Sequence, residues 1–514
     1  MALHHSLTLY QKRILLFSDL LFALAIAILV SVAVVSFWEI SFFEILFVFL
    51  LGGIFIGSFW KKRFFMSVGV FCFFLGVALW WTLEKTDLSW VKQYEGKHFS
   101  GTVVLLSERV EEKYTQRIPF RFEVCQEEDC EKKTAFLRTE QGVSYGIGEK
   151  VKLDCTWDIP EYDEKTKTDW MRIFASRGPV LFCEDTTPER EGVYERDWKM
   201  MLSNARRFLE ERLSHIIPYP ESALGAGLLF GGTSGLSDEW QEKFSQTSMT
   251  HIVAVSGYNV TLLVQYLGII AIGIGIKRQY AWLLSIGGIV GFIALIGFPA
   301  SGVRAGIMGV LALIALRGGV MGGGIRALVL AGACMVLYNP FILRYDVGFQ
   351  LSVLATLGII LGSPFIAKIN KERFPAFVRI FVEIGVTTFF AQIFVIPLIL
   401  MTFGLFSFLS FVANILVLWT IPLAMLTTLL ALCLSIFGIL FGSIGGILSW
   451  GILSYDLWVI DKLSRFSWAS ISLETMPFIF LFFYYFFVLG FFFWYAQKEK
   501  YEASLNCKKY GGEE

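Results

Sequence analysis

Residues Thr250 to Val264 read THIVAVSGYNVTLLV, and they place His251, Ser256, Gly257 and Asn259 at the head of a run apolar enough to enter a membrane. Polar groups there cost free energy in lipid unless they are used. A histidine and a serine five positions apart raise the chemistry of a base and a nucleophile. Residues five apart on a helix point in clearly different directions, and no acidic group stands nearby to orient the imidazole, so no catalytic residue is assigned. What remains for these groups is to face protein or a wet passage.

Other chemistry-bearing residues are few. Asp238 leads a polar segment just upstream, and Arg304, Asp346, Gln350, Glu383 and Asp456 lie at or within apolar stretches, where an ionisable or amide group is a site candidate. For Arg304 and Asp346 the competing reading is a helix cap or a mutual pair. The five histidines, His4, His5, His98, His215 and His251, are too dispersed to assemble the clustered ligands of a di-metal hydrolase, so no metal and no cofactor is expected. No GxxxxGK[ST] motif occurs, so any work this chain does draws energy from elsewhere.

The elements that must hold these residues follow from composition. Of 514 residues, 55% are hydrophobic and only 17% are charged, which is the composition of a membrane protein. Three spans open the chain, near 14–37, 42–59 and 64–83, each close to the ~20 apolar residues a bilayer requires. A polar domain follows, then an amphipathic helix within 193–220, then a membrane domain over 221–497 and a tail at 498–514. In that membrane domain Ala223–Phe230 is too short to span and is followed by Gly231 and Gly232, which marks a re-entrant segment ahead of the helix that begins near His251. Further spans are placed near 280–297, 303–317, 325–340, 347–366, 380–403, 413–432, 436–460 and 477–496. The fold class is therefore a polytopic α-helical membrane protein with about twelve transmembrane helices by the ~20-residue rule.

The charges and cysteines orient it. Gln11-Lys12-Arg13, Lys61-Lys62-Arg63, Lys277-Arg278 and the basic tail belong inside, which leaves the polar domain outside and both termini in the cytoplasm. The first span has no small-residue cleavage site and is read as retained. Residues 84–199 hold 25 acidic and 19 basic residues of the 44 of each in the chain. Cys125, Cys130, Cys155 and Cys183 all fall in that polar stretch, where an oxidising compartment would let them pair. The first two flank an acidic loop as a hairpin staple would, and the other two end strand-like runs that could be neighbours. Free thiols on a cytoplasmic domain are the alternative. Cys72, Cys334 and Cys433 sit in spans as packing residues.

Short alternating runs in 84–192 suggest a small antiparallel, OB-like β-barrel. Its use would be to stack bases on aromatics beside basic side chains, with Lys113, Arg117, Phe120, Arg121 and Phe122 as candidates. An ordinary structural barrel with solvated charges is the competing reading, because a surface that tracks phosphates should be locally basic and this domain is acidic on balance.

Four blocks in order, GGTSGLSDEWQEKFSQTSMTHIVAVSGYNV, GFPASGVRAGIMGVLAL, YNPFILRYDVGFQLSVLATLGI and LMTFGLFSFLSFVANILVLWTIPL, resemble the signature blocks of the ComEC competence-protein family. The resemblance implies an inner-membrane channel that passes single-stranded DNA into the cytoplasm during natural transformation. It also implies an outer DNA receptor and a cytoplasmic ATPase as partners. Matched position by position, His251, Ser256 and Gly257 fall on the His-x-x-Ala-x-Ser-Gly stretch, Asp238 on the acidic segment before it, Arg304 on the VRA block, and Asp346, Gly348 and Gln350 on the D-x-G-F-Q-L-S block. Two features depart from the family. Asn259 stands where many members carry a second histidine, which removes a group that titrates near neutral pH. The metallo-β-lactamase-like domain that ends many members is not expected here, so a separate protein would supply any nuclease. A secondary transporter for a small solute, or a channel for another polymer, would use the same broken helices and polar groups.

Overall fold

The computed structural model describes residues 22–36, 75–79, 81–83, 85–86, 88–106, 110–111, 115–126, 129–140, 148–160, 162–163, 168–177, 179–184, 188–194, 198–232, 235–253, 257–273, 275–298, 300–317, 324–367, 375–466, 470–472 and 478–510. They form two compact units. One draws on Met1–Leu209 and Leu263–Gln350, the other on Glu210–Leu262 and Leu351–Glu514.

The first unit contains the polar domain, and period-two alternation builds it. Strands β1 (His98–Leu105), β2 (Val110–Glu111), β3 (Thr115–Gln126), β4 (Asp129–Glu140), β5 (Glu149–Asp158), β6 (Tyr162–Asp163), β7 (Thr168–Asp169), β8 (Phe182–Glu184) and β9 (Glu189–Tyr194) follow in chain order. On β5, Val151, Leu153, Cys155 and Trp157 point inward while Lys152, Asp154 and Thr156 point out. β1 pairs antiparallel with β3 and β5, β3 with β4, β8 with β5, and β4 runs parallel to β8. Those five pairings close a five-stranded barrel, which leaves no free edge among its members. β9 carries the sheet past the expected boundary at 192, to Tyr194.

Ile118, Phe120, Phe122, Leu137, Leu153 and Trp157 fill the barrel, each worth roughly 1.5–3 kcal/mol of burial. Cys155 and Cys183 form a disulfide inside it, Cα to Cα 5.7 Å. Cys125 and Cys130 are register partners at the end of the β3–β4 hairpin, as a staple requires; their side chains lie outside the described residues. The expectation that Phe120 and Phe122 offer faces to bases is corrected here. They are 0% and 2% exposed, and Phe122 packs 4.8 Å from the Trp157 ring. Arg117 and Arg121 lie on the opposite face of the same strand, and Lys113 is outside the described residues.

This barrel is seated on a turn between membrane helices of its own unit. The short helix Trp170–Arg177 meets the segment after the apolar helix Gly324–Tyr338. Asn339 Nδ2 donates to the carbonyls of Ala175 and Ser176 at 2.8 and 3.3 Å, and Phe341 completes the barrel core. Arg172 Nη1 donates to Tyr345 Oη at 3.2 Å.

Several helices are long and apolar, and the chain is a membrane protein. Among the described residues Thr250–Ile269, Val347–Ala367, Phe377–Phe403 and Ile439–Ser464 are long and apolar enough to cross a bilayer. Phe22–Ser36 and Gly324–Tyr338 are shorter apolar helices, as are the stretches Trp282–Leu295 and Gly302–Leu311 of helices Arg278–Leu295 and Ala300–Arg317. Most of the three N-terminal spans, apart from Phe22–Ser36 and parts of 75–83, lies outside the described residues. One span expected as a single helix, 413–432, is two: Leu409–Val417 and Ile421–Ser435, bent by 48°. Pro422 explains the restart, since its fixed φ suits the first turn of a helix and its missing N–H is an orphan there anyway.

Two prolines lie inside spanning helices, and each frees a carbonyl four residues back. Pro364 in Val347–Ala367 releases Ile360, whose carbonyl accepts from Ser363 Oγ at 2.8 Å. Pro397 in Ala376–Phe403 releases Ile393, and the Tyr484 hydroxyl of helix Phe478–Tyr510 donates to it at 2.9 Å. Tyr485 donates to the next carbonyl, Phe394, at 2.6 Å. Lipid offers no replacement donor, so Tyr484→Phe is expected to lower stability by ~1 kcal/mol. A lower melting temperature of the purified protein in one detergent checks it; an unchanged one would mean that the carbonyl finds another donor.

Candidate functional site

The sequence-predicted residues fall into two clusters, one in each unit. In the first, Asp346 separates the short helix Ile342–Tyr345 from the spanning helix Val347–Ala367. Its Oδ1 accepts the Phe349 N–H at 3.0 Å, so it caps the helix start, where a negative charge also meets the helix dipole favourably. Gln350 one turn on donates through Nε2 to the carbonyls of Leu343 and Arg344 at 2.9 and 2.8 Å, which ties off the short helix. For Asp346 the helix cap named as the competing reading is present in this contact.

Arg304 is different. Its helix, Ala300–Arg317, buries it to 7% exposure, and its Nε and Nη1 have no hydrogen-bond partner among the described residues. A buried guanidinium presents five donors in a fixed fork, and leaving two nitrogens unpaired costs free energy unless something else meets them. Asp346 is the charge that acts on it. The two do not form a direct ion pair, and Gly348 lies between their polar ends. A Cβ at 348 would stand 3.1 Å from Asp346 Oδ1 and 3.8 Å from Arg304 Nη2. A side chain at 348 would therefore crowd the Asp346 carboxylate.

In the second unit the helix Glu221–Phe230 stops at Gly231 and Gly232, whose φ of 76° and 99° a side chain would resist. Asn259 is 1% exposed and donates through Nδ2 to the carbonyl of Leu228 at 3.2 Å. That carbonyl is one of the last of a helix with no intrahelical partner, so Asn259 ties the helix Gly257–Gly273 to the broken one. Gly227 lets the turn Thr250–Val253 approach, since a Cβ there would meet Val253 Cγ1 at 2.6 Å. His251 is exposed and its Nδ1 lies 3.0 Å from the Ser248 carbonyl. With Nδ1 donating to that carbonyl, the other nitrogen of the neutral ring can only accept, and the buried Asn414 Oδ1 has no hydrogen-bond partner among the described residues.

Gly257 opens its helix, Asp238 is exposed at the first turn of helix Asp238–Gln246, and Ser256 lies outside the described residues. Among the described residues no group of three or more His, Cys, Asp or Glu could hold a metal. The same short helix is pinned by Lys243, which binds Glu239 at 2.7 Å and Asp461 at 2.9 Å. Those two bonds, Glu239 first, hold its ammonium above the ordinary lysine pKa.

Sequence reasoning missed the polar contacts of the bent pair. Asp456, named only as a deep ionisable residue, bonds Thr420 at 2.5 Å. Glu221 accepts from Ser454 at 2.6 Å, and Thr428 meets Ser449 at 2.6 Å. Partners this far apart in the chain leave no local pattern; the only local signal was a carboxylate inside an apolar run.

Comparison with known proteins bears on both clusters. A curated relative, ComE operon protein 3 of Bacillus subtilis (strain 168), is 24% identical over 223 residues, which is 43% of this chain and 27% of the relative. The chain thus spans about a quarter of that relative's length. No solved structure matches. Residues 228–498, which include His251, Asn259, Arg304, Asp346 and Asp456, match the family described as Competence protein. Over more than half its length, then, this chain belongs to the competence protein family, the family of ComEC.

Proposed function

We propose that the protein is an inner-membrane channel that passes single-stranded DNA into the cytoplasm during natural transformation. The observation that carries this reading is Arg304: a buried guanidinium with two nitrogens unpartnered among the described residues. A strand crossing a membrane brings one phosphate after another, and a planar fork of donors is the group suited to meet them. The charge of Asp346 is tied to its helix cap and does not pair directly with that fork.

Family membership supports the substrate, and the relative is named as a protein of the ComE operon. The Cys155–Cys183 disulfide supports a barrel in the oxidising compartment, with the termini and the basic clusters inside. About twelve helices and the re-entrant Glu221–Phe230 segment complete the architecture by the ~20-residue rule. On this reading an outer receptor delivers the DNA, a cytoplasmic ATPase draws it in, and a separate nuclease removes the other strand. The barrel is OB-like; its remaining basic candidates, Arg117 and Arg121, lie outside its core and give it at most an electrostatic contact.

Deleting the gene in its host and following labelled transforming DNA into a nuclease-protected state tests the proposal. Uptake should be lost in the deletion strain and restored by the wild-type copy. Normal uptake without the gene overturns it. A second reading, a secondary transporter, is favoured by the bent pair Leu409–Val417 and Ile421–Ser435 with a carboxyl at its break, a construction such transporters use. Uptake of a small solute that disappears with the gene while DNA entry persists would select it.

A further inference from the structure

The bent pair holds a polar arrangement whose hydrogens do not add up for an ionised carboxylate. Thr420 lies at the break between Leu409–Val417 and Ile421–Ser435 and is 3% exposed. Its Oγ1 is 2.5 Å from the Val417 carbonyl and 2.5 Å from Asp456 Oδ1 on the spanning helix Ile439–Ser464. A threonine hydroxyl has one hydrogen. Pointed at Val417, it leaves the contact with Asp456 to be filled by a hydrogen on the carboxyl. Pointed at Asp456, it leaves two bare acceptors facing each other at 2.5 Å.

Burial leads to the same assignment. Asp456 is 0% exposed, and its Oδ2 has no hydrogen-bond partner among the described residues. An unpaired neutral carbonyl oxygen is tolerable there, whereas a carboxylate without a counter-charge is far more costly. Among the described residues no ion pair joins the Asp456 carboxyl to a cation on the elements packed against this helix. Leu409–Val417 and Ile421–Ser435 carry no Asp, Glu, Lys, Arg or His. Glu221 of the helix Glu221–Phe230 accepts from Ser454, and Lys243 of Asp238–Gln246 pairs with Asp461. His251 of the turn Thr250–Val253 meets the Ser248 carbonyl through Nδ1. On the same helix Tyr455 donates to the Leu416 carbonyl at 3.3 Å, and Asp461 and Lys462 stand beyond the next turn.

We propose that Asp456 is a proton-binding site of the membrane domain, protonated in this conformation and donating its hydrogen to Thr420 Oγ1 at the helix break. The proton is held by a contact that bridges two helices and the break between them. Spreading that break admits water, ionises the carboxyl and releases the proton. Proton uptake and release are thereby tied to the angle between Leu409–Val417 and Ile421–Ser435, whatever solute or polymer the protein carries.

Infrared spectroscopy of the full chain in lipid nanodiscs at neutral pH, in choline chloride, reads this directly. A protonated carboxylic acid has a carbonyl stretch well separated from those of carboxylates. The expected result is one such band that moves when aspartate is carbon-13 labelled, shifts in Thr420→Val and vanishes in Asp456→Asn. Should Asp456→Asn fail to fold, the label and Thr420→Val still assign the band. Absence of any label-sensitive acid band overturns the proposal, as does a band that both variants leave untouched. Loss of the band when sodium replaces choline also overturns it, in favour of a metal-cation site. None of these readouts involves DNA, so they stand apart from the outcome of the uptake experiment.

Discussion

Cys155→Ser is expected to lower the stability of the barrel by ~3.5 kcal/mol and to leave the membrane helices folded. The bridge to Cys183 spans 28 residues of sequence, and closing a loop of that length removes about that much chain entropy from the unfolded state. A second effect has the same sign. Both cysteines belong to the same apolar core as Leu153, Trp157, Leu181 and Phe122, so a serine hydroxyl there would need a hydrogen-bond partner that an apolar core does not offer. Limited proteolysis of membranes separates the domains: the variant should be cut between β1 and β9 under conditions that leave the wild type intact. Equal resistance of the two would show that the barrel core and its seat on Phe341 and Asn339 hold the domain without the bridge. Cys183→Ser should match Cys155→Ser, and the double variant should be no worse than either, because all three remove one bond.

The barrel was the most legible part of the chain, and one error in it was avoidable. The run RIPFRFEV alternates, and its alternation announces a half-buried strand. That same pattern assigns Ile118, Phe120 and Phe122 to one face, and the apolar face of a small barrel is its inside. Reading the two phenylalanines as base-stacking groups set their chemistry above their period. For the disulfide the sequence showed four cysteines in one polar stretch, and the pairing of Cys155 with Cys183 depends on β8 inserting between β4 and β5, a non-local choice.

In the membrane domain the signals were of another kind. Gly231-Gly232 and Pro422 are local punctuation, and each marks a real interruption. Pro422 was nevertheless passed over, because the apolar run from 413 to 432 is long enough to be one helix by the ~20-residue rule. The capping by Asp346 and Gln350 was within reach as a general expectation for residues at a helix start. The contacts of Asn259 with Leu228, Tyr484 with Ile393 and Asp456 with Thr420 were not, since each joins helices distant in sequence. What a membrane sequence discloses is which groups need a partner; which partner they take is a property of the packing. The seat of the barrel shows how the two levels combine. Asn339 and Phe341 look like a turn after a span, yet they hold the barrel only a few residues before the Asp346 cap, so the outer domain and that cap share one short stretch of backbone.

Arg304→Ala is expected to reduce DNA uptake by roughly ten- to a hundred-fold, the equivalent of losing one charge-assisted hydrogen bond of ~1.5–3 kcal/mol to each passing phosphate. Arg304→Lys keeps the charge and loses the fork, so it should recover only part of the difference. Nuclease-protected label at equal membrane levels of each variant measures both. A purely structural Arg304 would also fail on truncation, because the Asp346 charge would lose the cation it acts on. Combining Arg304→Gln with Asp346→Asn separates the two cases. Asparagine caps a helix nearly as well as aspartate, so the start of Val347–Ala367 survives while both charges are gone. If Arg304 merely balances Asp346, the double variant should transport like the wild type. If it meets phosphate, uptake should stay as low as in Arg304→Ala, and the Asp346→Asn single variant should transport well, because the guanidinium would then face the strand without a competing carboxylate.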